Sequence, residues 1–284
     1  LTLGATEIGQ GADTVFSQMV AETLHTDMEH VHIMSTQDTD ISPFDTGAYA
    51  SRQSFVTGTA VRHCAEILRD KILAYAKTLL PEIDTTELEL RDNWIWAGKE
   101  RAISLAALAE ESYYSLTNSF VLTAEVSEQV KKNTIATGCC FAEVEVDMKL
   151  GKIKVLHIIN VHDSGKLLNP QLAEMQVHGG ISMGMGYGIS EQLILDEKTG
   201  RPLNGNLLDY KLMTMLDTPE LKADFVELDD PIGPYGNKAL GEPPAIPCAP
   251  AIRNAVLHAT GVAFNENPLT PQRLIDGFQK AGLI

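Results

Sequence analysis

Phe141-Ala142-Glu143-Val144-Glu145-Val146-Asp147 alternates in character residue by residue, and after a turn at Leu150-Gly151 the chain returns as Ile153-Lys154-Val155-Leu156-His157-Ile158-Ile159. A period of two marks a half-buried strand, so the two runs read as an antiparallel hairpin. Ala142, Val144 and Val146 form its apolar face. Glu143 and Glu145 share the other face, which reads as solvated rather than as a paired acid/base site.

Working upstream, Glu7-Ile8-Gly9-Gln10-Gly11-Ala12-Asp13-Thr14 closes a short strand and opens a helix, with Val15, Phe16, Met19, Val20, Thr23 and Leu24 at helical spacing. Gly9 and Gly11 let the backbone approach a ligand, and the Gln10 amide offers two donors and an acceptor. A plain strand–turn–helix with a surface Gln is the alternative. Val31-His32-Ile33-Met34 reads as a second strand. It leads into the polar loop Asp45-Thr46-Gly47-Ala48-Tyr49-Ala50-Ser51-Arg52-Gln53-Ser54, whose small residues and hydroxyl and amide groups suit a ligand-facing loop. A long helix follows, burying Val56, Ala60, Val61, Cys64, Ile67, Leu68, Ile72 and Leu79 and ending at Pro81. Leu88 to Trp96 is predicted as a strand and Ile103 to Tyr114 as a short helix.

Downstream, Asp163-Ser164-Gly165 and Asn169-Pro170 break the chain before Gln176-Val177-His178-Gly179-Gly180-Ile181-Ser182-Met183-Gly184-Met185-Gly186-Tyr187-Gly188. Gly184-x-Gly186-x-Gly188 has the wrong spacing for a dinucleotide-binding turn, and no hydrophobic strand precedes it. Close helix packing, or backbone approach to a ligand, fits better. His162 and His178 are single histidines without a second ligand at metal spacing, which points to structural roles. Ile189 to Leu195, Tyr210 to Met215 and Ala223 to Glu227 are predicted strands. Thr270-Pro271 opens a last helix with a Thr cap.

Gly241-Glu242-Pro243-Pro244 reads as an acidic residue at the start of a helix whose apolar positions Ile252, Ala255, Val256 and Ala259 repeat at helical spacing up to Gly261. Unpaired N–H groups and the helix dipole would favour the ionised carboxylate, and a rigid, ionised carboxylate can act as a general base. A simple helix cap is the other reading of those four residues.

With 284 residues, 44% of them hydrophobic and 21% charged, the chain has core enough for one large or two smaller soluble domains. It carries no apolar run near the roughly 18 residues of a membrane span and no signal peptide. It begins Leu1-Thr2-Leu3 without a Met, as in a processed chain or a piece of a longer one. A net charge of −16 without basic patches argues against a nucleic-acid partner. The four cysteines, with Cys139 and Cys140 adjacent, match no zinc or iron–sulfur spacing and read as reduced thiols of a cytoplasmic protein.

Taken in order, these blocks resemble the C-terminal half of the molybdenum-binding subunit of the xanthine dehydrogenase/aldehyde oxidase family, along nearly the whole chain. The resemblance rests on Glu7-Ile8-Gly9-Gln10-Gly11, Ala50-Ser51-Arg52 with Gly58-Thr59-Ala60-Val61, Ala142-Glu143-Val144-Glu145-Val146-Asp147, Asp163-Ser164-Gly165 with Asn169-Pro170, Gln176 with Gly179-Gly180, Asp209-Tyr210, and Gly241-Glu242-Pro243-Pro244. No single block is specific; their order and spacing together are. The resemblance implies an α+β molybdopterin-binding fold of two α/β subdomains, residues 1–135 and 136–284, with the cofactor between them. That cofactor is a molybdenum ion held by a pterin dithiolene, in bacteria usually extended as a cytosine dinucleotide, so no side chain is expected to ligate the metal.

Residue by residue, Glu242 matches the family's catalytic glutamate, the general base as a water-derived oxygen attacks an electron-poor carbon. Gly9, Gln10, Gly11, Ala50, Ser51, Arg52, Gln176 and Gly241 fall at cofactor-binding positions, and Tyr49 falls where members line the substrate cavity. The implied activity is hydroxylation of an aromatic N-heterocycle, xanthine or another purine first and nicotinate second, with electrons passed to 2Fe-2S clusters and FAD. A nicotinate dehydrogenase or aldehyde oxidase subunit is an alternative within the family. A non-catalytic scaffold subunit is the alternative of another class, although a scaffold has no need of Glu at position 242. The glycine-rich segment and arginine block of the family's N-terminal half, the cluster cysteines and the flavin domain are absent here. The implied partners are therefore the N-terminal half of the molybdenum subunit, an iron–sulfur subunit and an FAD subunit in a cytoplasmic heteromer, and the chain alone is expected to be inactive.

Overall fold

The computed structural model describes residues 1–34, 38–84 and 87–284. They divide into two compact units, Leu1–Asn133 with Ile232–Pro234, and Thr134–Pro231 with Tyr235–Ile284.

In the first unit, helices α1 (Ala12–Leu24) and α2 (Gly58–Leu79) pack together. A small antiparallel sheet, β1 (Leu88–Arg91), β2 (Trp94–Ala97) and β3 (Glu100–Ser104), is followed by α3 (Leu105–Tyr114). The predicted strand over Leu88 to Trp96 is in fact a hairpin. Asp92 and Asn93 turn the chain with φ of 50° and 61°, a conformation their short polar side chains tolerate. Leu90 then opposes Ile95, and both are buried. Ile103 belongs to β3, and α3 starts only after Ser104, whose hydroxyl accepts the Ala107 N–H at 3.1 Å. Ile72, Tyr75, Ala76, Leu88, Leu90, Ile95 and Leu108 form the core of this part. Val31 to Met34 is not a strand. Met34 makes a single parallel bridge to Thr2, so the run has no ladder to join. The segment Gln53–Thr57, expected as the end of the polar loop and the start of the long helix, is a π-helical turn leading into α2.

The second unit has a sheet of β4 (Thr137–Asp147), β5 (Lys152–Asp163) and β6 (Glu220–Phe225), with β5 antiparallel to β4 and parallel to β6. The expected hairpin is present, longer at both ends, and Glu143 and Glu145 lie on its exposed face. Helices α4 (Pro170–Ile189), α5 (Cys248–Thr260) and α6 (Pro271–Lys280) complete the unit. Asn169, read as part of a chain break, caps α4 by accepting the Leu172 N–H, with Pro170 at the first position. Thr270 does the same for α6 through Arg273 N. Val155, Ile158, Val177, Ile181, Met185, Cys248 and Ile252 form one core cluster, and Val256, Leu269, Leu274 and Phe278 another. Each such side chain contributes about 1.5–3 kcal/mol by leaving water.

Two predicted strands are absent. Ile189 ends α4, Leu195 makes only an isolated bridge to Pro202, and Tyr210 to Met215 is irregular. Here a side chain replaces a ladder: Asn204 accepts the Ile194 N–H and donates to Gln192 O. Among the described residues no helix is long and apolar enough to cross a membrane.

Candidate functional site

The Gly9-Gln10-Gly11 turn is built around Glu7. Its carboxylate accepts the N–H groups of Gly9 at 2.7 Å, Gly11 at 3.1 Å and Asp13 at 3.1 Å, and so caps α1 from four residues ahead of Gly11. Gly9 and Gly11 take φ of 100° and 88°, which glycine reaches without steric penalty. Partial burial works to raise the Glu7 carboxyl, but the N–H groups of Gly11, Asp13, Gly9 and Ile8 outweigh it and hold it below the usual carboxylate range. The Gln10 amide is committed inside the unit. Its Nε2 donates to Thr6 O and to Gln53 Oε1, and its Oε1 accepts the Ile8 N–H. Both amide hydrogens are therefore in use, which leaves mainly backbone groups of this turn for any ligand.

Gln53 ties that turn to the loop expected to face a cofactor. Within the loop Ala50 and Ser51 are consecutive residues at φ of 52° and 54°, a conformation that costs a non-glycine residue about 1–2 kcal/mol. Strain of this kind concentrates at functional turns. Arg52 is an anchor: its guanidinium reaches both Asp45 oxygens, at 2.8 and 3.0 Å, and Gly47 O at 3.0 Å. Asp45 also accepts the Gly47 N–H and the Thr57 hydroxyl. The expected direct role of Arg52 at a ligand is thus taken up by bracing the loop. Tyr49, 70% exposed, stands on the surface of this turn.

In the second unit, Gly241 and Glu242 are exposed, and Glu242 does not sit at a helix start. Helix α5 begins at Cys248, and Pro243, Pro244 and Pro247 fall in the preceding turn, closed by Ala245 N donating to Glu242 O at 3.0 Å. Proline supplies no N–H and restricts the residue before it, so the helix forms only beyond Pro247. The expected support from the helix dipole is therefore absent, and tertiary contacts hold the turn that carries Glu242. Asn160 Nδ2 holds Pro244 O at 2.8 Å. Asp163 Oδ2 receives the Lys238 ammonium at 2.6 Å, and Lys238 N donates to Ser164 O at 2.7 Å. Gly180 lies so close that a Cβ there would be 2.6 Å from Pro244 Cβ, and one on Gly184 would be 2.6 Å from Ala245 O. The glycine-rich α4 thus serves as a close-packing surface for the Glu242 turn.

Gln176 sits one helical turn before Gly180 on α4, which places its amide and the Glu242 turn along one side of the unit. It is half-buried and makes no side-chain hydrogen bond among the described residues, so two donors and an acceptor remain for a ligand. A polar cofactor edge would fit the Gln176 amide; it would not fit the side-chain donors of Gln10, which are already committed.

Glu7, Asp45, Gln53, Asn160, Asp163 and Lys238 all support these turns, and their roles went unread in the sequence. A signal was present for one group: Asn160, His162 and Ser164 are polar at the alternate positions that follow buried Ile158, along β5 and one residue past its end. Burial pushes the His162 imidazole pKa down, and its ring nitrogens have no partner among the described residues. No group of three or more His, Cys, Asp or Glu suited to a metal occurs among the described residues.

The architecture is that of a molybdopterin-binding α+β protein. Quinoline 2-oxidoreductase from Pseudomonas putida 86 superposes with a TM-score of 0.85 at 26% identity, over 97% of this chain and 36% of that one. The family model for the molybdopterin cofactor-binding domain matches residues 1–219, and the chain belongs to this family, in its xanthine dehydrogenase/aldehyde oxidase type. The xanthine dehydrogenase molybdenum-binding subunit of Escherichia coli O157:H7 is 50% identical over 283 residues, 99% of this chain and 38% of that protein. The "Probable hypoxanthine oxidase XdhD" of the same organism is 33% identical over 98% of this chain and 29% of its own length. The chain thus spans well under half of the curated relatives it matches.

Proposed function

We propose that this chain is the part of a molybdenum-dependent oxidoreductase that carries its general base, and that the enzyme hydroxylates an aromatic N-heterocycle, xanthine or another purine, using water as the oxygen source. The observation that carries this reading is the Glu242 turn, an exposed carboxylate fixed by three prolines, Asn160 and the Lys238–Asp163 pair. Such rigidity has little use in a scaffold and suits a base that must meet one proton in one place. Glu242 would take the proton of the attacking oxygen on a carboxylate oxygen, and its turn would keep that carboxylate aimed as the proton arrives. Bound molybdopterin, in its cytosine dinucleotide form, would supply the two-electron acceptor. Gln176 would hold one polar edge of that cofactor through its amide, while Gly9, Gln10, Gly11, Ala50, Ser51 and Gly241 would meet it chiefly as backbone. Tyr49 would contact substrate. The purine reading is supported by the relatives named for xanthine and hypoxanthine, and the heterocycle class by the one named for quinoline.

The remainder of the molybdenum subunit, an iron–sulfur partner and an FAD partner would complete the enzyme in the cytoplasm, and the chain alone would be inactive. The test is Glu242→Gln in the complete complex. Molybdenum content should stay near one per chain while turnover of xanthine falls by about 10²–10⁴, the range of a lost general base. A variant that keeps more than a tenth of the activity would overturn the role given to Glu242. Comparing kcat/KM for xanthine, nicotinate and an aromatic aldehyde then decides the substrate class.

A further inference from the structure

Cys140 and Cys248 are both free thiols, and their sulfurs lie 3.9 Å apart. They come from different elements, Cys140 from β4 and Cys248 from the first position of α5. Neither contributes to the functions proposed above. Cys140 pairs across the hairpin with Asn160, and the Asn160 side chain lies 3.7 Å from the Cys248 sulfur. The Cys248 S–H donates to Pro244 O at 3.2 Å, the same carbonyl that Asn160 holds. A direct chain thus runs from the two thiols to the proline turn beside Glu242.

We infer that Cys140 and Cys248 form a redox modification site, at which a hydroperoxide produces an intrachain disulfide that displaces the Pro244 carbonyl and the Glu242 turn. Cys140 is half-buried and is the thiol that an oxidant reaches; Cys248 is fully buried and acts as the resolving thiol. The contact between the two sulfurs favours ionisation of Cys140, while that contact and burial push the Cys248 thiol up. The Cys140 thiolate attacks a peroxide oxygen, breaks the O–O bond and becomes a sulfenic acid, releasing water or an alcohol. The Cys248 sulfur then attacks the sulfenic sulfur, and the hydroxyl leaves with the Cys248 proton as a second water. Two thiols lose two electrons and two protons, and the peroxide takes them up.

The bond draws the sulfurs from 3.9 Å to about 2 Å. Cys248 has little freedom to move with α5, because it packs so closely on α4 that a Cβ on Gly184 would lie 2.6 Å from its own. The adjacent turn must absorb the change, and the hydrogen bond to Pro244 O is lost with the S–H proton. The disulfide itself stands on geometry alone; its effect on turnover rests on the function proposed for Glu242.

The test uses the complete enzyme complex treated with hydrogen peroxide, followed by thiol alkylation, proteolysis and mass spectrometry. The expected product is a cross-linked peptide pair containing Cys140 and Cys248, lighter by two hydrogens than the separate peptides. Its yield should track a loss of turnover of about tenfold or more, as expected for a displaced catalytic group, with both reversed by dithiothreitol. Cys140→Ser should form no such link and keep its turnover at the same peroxide dose. Exposed Cys139 is the internal control. If Cys139 is oxidised and no 140–248 link forms, the site is overturned. If the link forms with turnover unchanged, or turnover falls equally in Cys140→Ser, the coupling to Glu242 is overturned. A molybdenum-loaded complex that turns over none of the candidate substrates before oxidation would sink the proposed function instead, and the peptide map would still decide the thiol pair.

Discussion

The Lys238 ammonium lies 2.6 Å from the Asp163 carboxylate, and the two side chains are only 10% and 12% exposed. This pair joins the end of β5 to the segment that reaches Glu242 four residues later. Asp163 also accepts the Gly165 N–H at 3.1 Å, and Gly165 bridges Asn237 through the flanking bonds Lys166 N to Gly236 O and Lys238 N to Ser164 O. A nearly buried ion pair thus anchors the chain four residues ahead of the exposed Glu242.

Lys238→Met should cost about 3 kcal/mol, because it leaves the Asp163 carboxylate buried without its partner. Adding Asp163→Asn should recover part of the loss by removing the stranded charge. Urea unfolding of the complete protein measures both. A single-variant loss below about 1 kcal/mol, typical of a surface pair, would show that the pair does not hold this turn.

Stability should fall on acidification in a manner traceable to Asp163 and Glu7. Burial acts to raise the Asp163 carboxyl, but the Lys238 hydrogen bond, the Gly165 N–H and the Lys238 charge outweigh it and hold it low. Glu7 is also held low, by the N–H groups it caps. A depressed folded pKa stabilises above the unfolded value, and that stabilisation is lost as pH falls through the folded value. Asp163→Asn and Glu7→Gln should each flatten the acid limb of stability against pH. In wild type, the Gly9, Gly11 and Asp13 amides should lose hydrogen-exchange protection over the same acidic range. An unchanged acid limb in both variants would refute these assignments.

Gly184→Ala should destabilise by about 1–3 kcal/mol through overpacking, since its Cβ would be 2.6 Å from Ala245 O and Cys248 Cβ. That exceeds the gain in helix propensity of up to about 1 kcal/mol. Gly179→Ala on the same helix is the control, with no atom within 4 Å of the added Cβ. It should be neutral or mildly stabilising. Equal melting temperatures for the two variants would mean that α4 does not pack closely on the Glu242 turn.

Ala50→Val should cost about 1–2 kcal/mol, because a β-branched side chain suffers most at φ of 52°, whereas Ala50→Gly should be tolerated or slightly stabilising. Denaturant midpoints for the pair check this. A tolerated valine would argue that the turn readily relaxes to a right-handed conformation.

The elements legible in the sequence are those whose signals are local. The β4–β5 hairpin, α1, α2 and α6 announce themselves by period and by turn or cap residues within a few positions of each other. The misread elements are short apolar runs. Val31 to Met34 and Leu193 to Leu195 have strand composition, but a strand needs a neighbour to accept its N–H groups, and neither run has a ladder. The hairpin turn is marked by Asp92-Asn93, two residues suited to positive φ, but the apolar residues on either side mask it.

The sequence alone determined that Glu242 is braced by prolines, that α4 is rich in glycine, and that the order of blocks belongs to the molybdopterin-binding family. All of these depend on residue identity and short spacing. Only the tertiary structure decided what holds the carboxylate, because Asn160 reaches Pro244 across 84 positions of chain and Lys238 reaches Asp163 across 75. It likewise decided that Gln10 spends its amide on Gln53, 43 positions away, and that Arg52 braces Asp45. Hydrogen bonds of such long sequence separation leave no periodic trace, since they depend on which backbone groups the packed helices and sheets bring within about 3 Å.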